Sequence, residues 1–244
     1  IGKRIKKIYR KSKYLIFEFD KNFSMLVHLG MTGKFFYTNK NNQKFKTSFY
    51  YEINKKKDDK YNRIIFFFQN KQKLIYNDVR KFGFIKIYNK LEYNDNPHLK
   101  KLGPEPLEKN YNYSYLKKYF YKRKRSIKDI LMDQKCVAGL GNIYVNEILF
   151  LSKIQPNRKV AKLKDKEIIK ILKNTKKILK NSIKLGGSSI RDFNSGDGKK
   201  GSFQQHFKVY GRSGKNCSNT DCNANVVKTI ISNRSTFLCK SCQK

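Results

Sequence analysis

Four cysteines in two close pairs are the residues whose types and spacing most plainly suggest chemistry. Cys217 and Cys222 flank four residues, and Cys239 and Cys242 flank two. Thiolates paired in this way can converge on one tetrahedral Zn²⁺. The intervening Val226–Leu238 reads as strand, turn, strand, and a hairpin there would bring the pairs together. Two disulfides or four unconnected thiols are the competing readings. No secretory segment is read in the sequence, so an intracellular setting is expected and one structural zinc ion is favoured. Arg234 falls in the turn-like Asn233-Arg234-Ser235-Thr236. A guanidinium held rigidly at a hairpin tip matches phosphate oxygens with its planar fork. A solvated turn arginine is the bland alternative.

The charge suggests a partner for such an arginine. The 244 residues include 56 Lys+Arg against 18 Asp+Glu, a formal net charge of +38. An excess this large points to a polyanion, nucleic acid first among them. Part of it has another source: abundant Lys, Asn, Ile, Tyr and Phe, with no Trp and four Pro, is what A/T-rich coding produces. Aromatic and aliphatic residues still suffice for a core, and the length allows one large domain or two modest ones. No apolar run approaches the roughly 20 residues of a membrane-spanning helix, so no membrane partner is expected. Cys136 stands apart from the pairs and reads as a small core residue.

The elements that must position these groups fall into two regimes. Residues 1–93 read as short strands at Arg4–Tyr9, Tyr14–Phe19, Ser24–Leu29, Lys34–Tyr37, Ser48–Ile53, Arg63–Gln69, Lys73–Asn77 and Phe84–Tyr88. Turn clusters such as Asp20-Lys21-Asn22 separate them, which predicts a sandwich or barrel. The run Lys55–Asp59 reads as a solvated loop. Residues 94–110 hold three of the four prolines and read as a linker. From Tyr111 the apolar period becomes helical, predicting helices over Tyr113–Tyr121, Ile127–Asp133, Tyr144–Leu151 and Lys164–Leu185. Between the second and third lies Gly139-Leu140-Gly141-Asn142, where two glycines allow a tight turn. The amides opening the next helix can hold an anion. Ile190–Gly201 is glycine-rich and basic, and a mobile loop is predicted.

Taken in order, several stretches resemble one family, the bacterial formamidopyrimidine-DNA glycosylases. They are Lys13-Tyr14-Leu15, His28-Leu29-Gly30-Met31, Asp78-Val79-Arg80-Lys81-Phe82-Gly83 and Leu102-Gly103-Pro104-Glu105-Pro106-Leu107. Ile127-Lys128, Gly139 to Tyr144, Gly186-Gly187-Ser188, Val209-Tyr210-Gly211-Arg212 and Arg234-Ser235-Thr236-Phe237 continue the series over essentially the whole chain.

The resemblance implies an α+β multidomain protein: an antiparallel β-sandwich, a helix–two-turn–helix domain and a zinc-binding β-hairpin. Double-stranded damaged DNA would lie in the cleft between the halves. It divides the chain into a sandwich domain at 1–97, then linker, helical domain and lesion-recognition loop at 98–204, then the hairpin at 205–244. It implies excision of oxidised purines such as 8-oxoguanine and formamidopyrimidines, with the base flipped out, followed by β,δ-elimination at the abasic site.

Roles carry over by position. Lys13 matches a strand lysine beside the lesion phosphate, a proton donor in β-elimination. Arg234 matches the hairpin arginine associated with δ-elimination. Met31, Arg80 and Phe82 match the residues that fill the gap left by the flipped base. Methionine and phenylalanine suit apolar wedges, and arginine can pair with the orphaned cytosine. Alone, Met31 and Phe82 would read as core, and Lys13 as a solvated lysine. Lys128 and Asn142 match phosphate ligands on the helical module, and Tyr61 and Arg123 sit near backbone-contact positions. His28, on an apolar strand, reads as structural. The four-residue spacer in the first cysteine pair is longer than is usual in the family.

Family members open with a proline, whose secondary amine attacks the sugar and forms a Schiff base, followed by a glutamate. This sequence starts at Ile1 and reads at once as mid-domain strand, so an amino-terminal truncation is expected. With it goes the expectation of a chain that binds damaged DNA without excising the base. Two other functions compete: a pyrimidine-preferring glycosylase related to endonuclease VIII, and a non-catalytic damaged-DNA-binding protein. Arg80, Phe82 and the long Ser188–Phe203 loop favour the purine enzyme over the first. A cytoplasmic, nucleoid-associated monomer is expected.

Overall fold

The computed structural model describes residues 2–38, 44–46, 59–69, 71–89, 95–187 and 202–244, with 44–46 described through their backbone alone. The chain packs as two compact units, residues 1–96 with 184–204 and residues 97–183 with 205–244.

The first unit is built from β1 (Ile5–Lys11), β2 (Tyr14–Phe19), β3 (Phe23–His28), β4 (Lys34–Thr38), β5 (Lys44–Lys46), β6 (Asn62–Phe67), β7 (Lys73–Asn77) and β8 (Phe84–Asn89). They form two antiparallel sheets, ordered β1-β2-β3-β8 and β5-β4-β7-β6. Alternating side chains of the two sheets bury one another: Phe17, Met25 and Val27 of the first meet Phe35 and Tyr76 of the second. The result is a sandwich, so of the two sequence-derived options the barrel falls. The predicted strand Ser48–Ile53, most of the Lys55–Asp59 run and the loop Ile190–Gly201 lie outside the described residues. So does most of the Ser188–Phe203 loop.

The second unit contains α1 (Tyr113–Phe120), α2 (Ile127–Met132), α3 (Asn142–Leu151), α4 (Asp165–Lys184), β9 (Val227–Ile231) and β10 (Arg234–Leu238). Asn112 caps α1 by accepting the Tyr115 amide at 2.9 Å, and Ser126 caps α2 by accepting the Asp129 amide at 3.1 Å. Gly141 opens α3 with no side-chain cap. Helix α3 is apolar almost all round and is accordingly buried from Val145 to Phe150. Helix α4 is amphipathic and buries Ile168, Ile171, Thr175, Ile178 and Ser182. Strands β9 and β10 join through Ser232 and Asn233, both at positive φ (48° and 58°), a type I′ geometry that suits a two-residue hairpin turn. Arg234 pairs with Ile231 and so opens β10 rather than lying in the turn. Among the described residues no helix is long and apolar enough to cross a membrane.

Candidate nucleic-acid interface and metal centre

Two loops of the sandwich lie side by side because β3 and β8 pair from Phe23↔Asn89 to His28↔Phe84. Met31 sits on the loop after β3, and Arg80 and Phe82 sit on the loop before β8. Met31 and Phe82 are each 56% exposed, so neither is a core residue. The Arg80 guanidinium stacks 4.4 Å from the Phe82 ring centre and reaches Met31 Sδ at 3.3 Å. The three side chains form one exposed cluster.

Beneath them Asp78 is 1% exposed. Its Oδ1 accepts the Thr32 hydroxyl and the Arg80 amide, and its Oδ2 accepts the Gly83 amide and the Tyr76 hydroxyl. Burial pushes the carboxyl up, but these four hydrogen bonds outweigh it and hold Asp78 below its ordinary value. The loops also touch at two glycines. A Cβ on Gly30, at φ 63°, would stand 2.7 Å from the Gly83 nitrogen, and one on Gly83 would stand 1.9 Å from the Tyr76 hydroxyl. His28 Nδ1 accepts the Gly30 amide at 3.0 Å while its ring stacks on Phe84 at 5.7 Å, which agrees with the structural role read for it. Tyr61 is brought to the same place, its carbonyl accepting the Asp78 amide at 3.1 Å. Lys13 is exposed in the two-residue β1–β2 turn, after Ser12 at φ 56°, and not within a strand.

In the second unit Lys128, Asn142 and Arg234 converge. Lys128 is 1% exposed, and its ammonium donates to Thr236 Oγ1 (2.5 Å) and to the carbonyls of Ser235 (3.3 Å) and Arg234 (3.5 Å). It therefore points at the back of the hairpin, behind Arg234, where the sequence suggests a ligand facing phosphate. Burial, opposed by Asp129 and reinforced by Arg234, pulls its pKa down to about 8. Asn142 donates to the Ser235 carbonyl at 2.9 Å, and Asn146 accepts the Phe237 amide at 2.7 Å. Glu147 accepts three successive amides, those of Lys208, Val209 and Tyr210, at 2.8–3.0 Å. One side of α3 thus fixes the hairpin through Asn142 and Asn146, and Glu147 fixes the segment leading into it. From its other side Tyr144 shares a hydrogen bond with Ser182 of α4 at 2.6 Å. Arg123 lies apart from this group, its guanidinium stacked 4.1 Å from the Tyr119 ring past the end of α1.

Asp78, Thr32, Asn146 and Glu147 were not singled out from the sequence. Polar residues inside apolar helices and at turns announce no partner until distant segments meet. The nearest signal is the polar pair Asn146-Glu147 inside an otherwise apolar α3.

The four Sγ atoms of Cys217, Cys222, Cys239 and Cys242 lie within 4.8 Å of one another. Cys217–Cys242 and Cys222–Cys239 are each 3.7 Å apart. A disulfide would need about 2.05 Å. Four sulfurs around a metal at about 2.3 Å stand about 3.8 Å apart. The set fits a tetrahedral metal and not two disulfides. Asn219 donates to Cys242 Sγ at 3.0 Å, the outer hydrogen bond such a ligand needs. The Cys222 amide donates to the Asn219 carbonyl at 3.2 Å, so the longer first spacer is taken up in a turn. Fully buried Gln243 accepts the Cys239 amide at 2.9 Å and donates to the Ile154 carbonyl at 2.8 Å. Cys136 is fully buried, and burial lifts its thiol to about 12.

Residues 1–85 match the formamidopyrimidine-DNA glycosylase N-terminal domain, and residues 102–194 match the formamidopyrimidine-DNA glycosylase H2TH domain. The formamidopyrimidine-DNA glycosylase of Rickettsia felis is 39% identical over 97% of this chain and 79% of its own length. That of Roseobacter denitrificans is 35% identical over 100% of this chain and 84% of its own. The structure of the Lactococcus lactis Fpg with an abasic site containing DNA matches with a TM-score of 0.84 and 34% identity. It covers 100% of this chain and 83% of that one. MutM in complex with carbocyclic 8-oxo-G containing DNA matches with a TM-score of 0.82, also at 34% identity, over 100% of this chain and 82% of that one.

Proposed function

The chain belongs to the formamidopyrimidine-DNA glycosylase family, and from that membership we propose how its residues divide the work of removing oxidised purines from duplex DNA. Members of the family are DNA glycosylases that also cleave at the abasic site. The observation that carries the reading is the exposed Met31–Arg80–Phe82 cluster on two loops tied through Asp78. A duplex that loses a base from its stack leaves a hole, and two apolar side chains with a guanidinium between them have the shape and chemistry to fill it. Arg80 supplies donors to the base left unpaired.

Arg234 is assigned to the phosphates beside the lesion. Lys128 and Asn142 are assigned to the same contact, acting largely by fixing the hairpin backbone at residues 234–236. The amides at the uncapped start of α3 add donors for phosphate oxygens. Tyr61 and Arg123 contribute backbone contacts. Lys13, exposed in its turn, is assigned proton transfer in β-elimination and Arg234 that in δ-elimination. The attacking amine is assigned to none of residues 1–244. Nothing in the fold or the relatives supports the expectation that the chain is inactive. Cys217, Cys222, Cys239 and Cys242 are assigned one zinc ion, which supplies rigidity to the hairpin. The three functional modules are assigned to 1–97, 98–204 and 205–244, although the helices and residues 205–244 pack as one compact unit.

The test is affinity for a duplex carrying 8-oxoguanine against the same duplex undamaged, each across a salt series. Tighter binding of the lesion and a steep fall with salt are expected. Equal affinities would sink the reading. Borohydride trapping on the same duplex reads the covalent step.

A further inference from the structure

Helix α4 carries a second regularity besides its buried stripe. Lys166, Lys170, Lys173, Lys177 and Lys180 follow one another at spacings of four, three, four and three, and all five are exposed. At about 100° per residue they line the side of the helix opposite Ile168, Ile171, Thr175 and Ile178, the residues it buries. The only acidic residues of α4 are Asp165 and Glu167 in its first turn. Each is already paired, Asp165 with Lys117 at 3.0 Å and Glu167 with Arg158 at 2.5 Å. The stripe therefore holds like charges at successive helical neighbours, an arrangement that repels itself, with no carboxylate of the helix to relieve it.

The stripe faces away from α3. One side of α3 binds the hairpin through Asn142 and Asn146, and from its other side Tyr144 meets Ser182 on the buried face of α4. At its C-terminal end helix α4 thus lies across α3 from the hairpin, while at its first turn Glu167 holds Arg158, which also donates to the Lys244 carbonyl; the lysines lie on the side opposite the buried residues. From Lys166 to Lys180 the stripe runs about 21 Å along the axis, the length of about six base pairs of duplex. A basic amphipathic helix can instead lie on a membrane, but that needs a free apolar face. Here Ile168, Ile171 and Ile178 are packed inside, and only Ile169 and Ile183 stand exposed.

We propose that the lysine face of α4 is a second DNA-binding surface, one that holds the phosphates of an undamaged duplex while the hairpin side of the same unit holds another. The second half of that statement rests on the function proposed above. Five ammonium groups read phosphate spacing and no base edge, so the surface is blind to sequence and lesion. Its role is to keep the protein on DNA, or to bridge two segments, while the lesion site is occupied.

The experiment immobilises a short lesion duplex, loads the protein, and adds a labelled undamaged duplex at low salt. The wild type is expected to retain the label and to release it as salt rises. The variant Lys170→Gln, Lys173→Gln, Lys177→Gln, Lys180→Gln keeps the helix former's propensity at each exposed position. It is expected to load equally and to lose at least about tenfold of the retained label, since each lost phosphate contact shallows the salt dependence by about 0.9. No retention by the wild type, equal retention by the variant, or competition by phosphatidylserine vesicles but not by unlabelled duplex would each overturn the proposal. If the lesion duplex fails to hold either protein, the reading of the hairpin falls instead. The second surface is then judged by direct titration of undamaged duplex: a salt slope shallower by about 3.6 in the variant supports it, and equal slopes overturn it.

Discussion

Asp78 and Thr32, 46 residues apart in sequence, share a hydrogen bond between the two loops that carry Phe82 and Met31. The same carboxylate takes the amides of Arg80 and Gly83, so one buried charge sets the shape of the whole exposed cluster. Replacing Asp78 by Asn turns one accepting oxygen into a donor facing donors. A loss of about 3 kcal/mol of stability is expected, from unsatisfied buried groups. The pH dependence has a definite sign. The folded carboxyl lies below its ordinary value of 3.8, so its ionisation stabilises the fold above that value, and the stabilisation is lost as pH falls below it. Acid titration of Asp78→Asn should lack this component; identical acid profiles would refute the assignment.

Phe82 is more than half exposed, so Phe82→Ala should cost less than about 1 kcal/mol in folding. It should nonetheless weaken binding to a lesion duplex far more than to an undamaged one. A large fall in melting temperature with both affinities reduced alike would return Phe82 to the core.

Gly83→Ala tests the loop contact from another side. Its new methyl group meets the Tyr76 hydroxyl and the His28 carbonyl, and must displace the loop. A cost of about 1–3 kcal/mol is expected, as for overpacking elsewhere, together with loss of lesion preference. A variant as stable as the wild type would mean that the loops are not in close contact in solution.

Lys128 gives an alkaline counterpart to Asp78. Its folded pKa of about 8 lies below its ordinary 10.5, so between these values the unfolded chain holds a proton that the folded chain has lost. Stability from this group therefore rises with pH across that window. The difference in unfolding free energy between wild type and Lys128→Met should change in the wild type's favour from pH 8 upward. A difference that stays flat would show that the ammonium keeps its proton.

Metal analysis should find about one zinc per chain, and chelation should abolish binding through the hairpin while leaving the sandwich folded. Cys239→Ser should behave as the chelated protein does. Full DNA affinity in a metal-free sample would remove the centre from the interface.

Much of the frame could be read from local pattern. Tyr14–Phe19 and Lys73–Asn77 appear as strands with the bounds that alternation suggests, and α4 follows its helical period to within a residue at either end. The cysteine set was legible because metal chemistry needs few residue types at short spacing. What could not be read depends on contacts between remote residues. Lys128 looks like any other lysine of a basic chain until Thr236, 108 residues on, accepts a hydrogen bond from it. Asp78 and Thr32 look like turn residues until β4 and β7 pair, with Lys34 opposite Asn77. The three-residue β5 is too short to show a period at all.

The ties of the hairpin segment to α3 and the turn after it also bear on how the hairpin can be exchanged. Asn146 accepts the Phe237 amide, and Gln243 donates to the Ile154 carbonyl. A cysteine-rich hairpin could be taken for a detachable cassette, but this one shares its buried polar partners with α3 and the turn that follows it. Grafting it onto another scaffold would orphan groups on both sides of the cut. A transplant that works should therefore carry α3 and the 208–210 segment along, and a lineage that alters the hairpin must alter that helix in step.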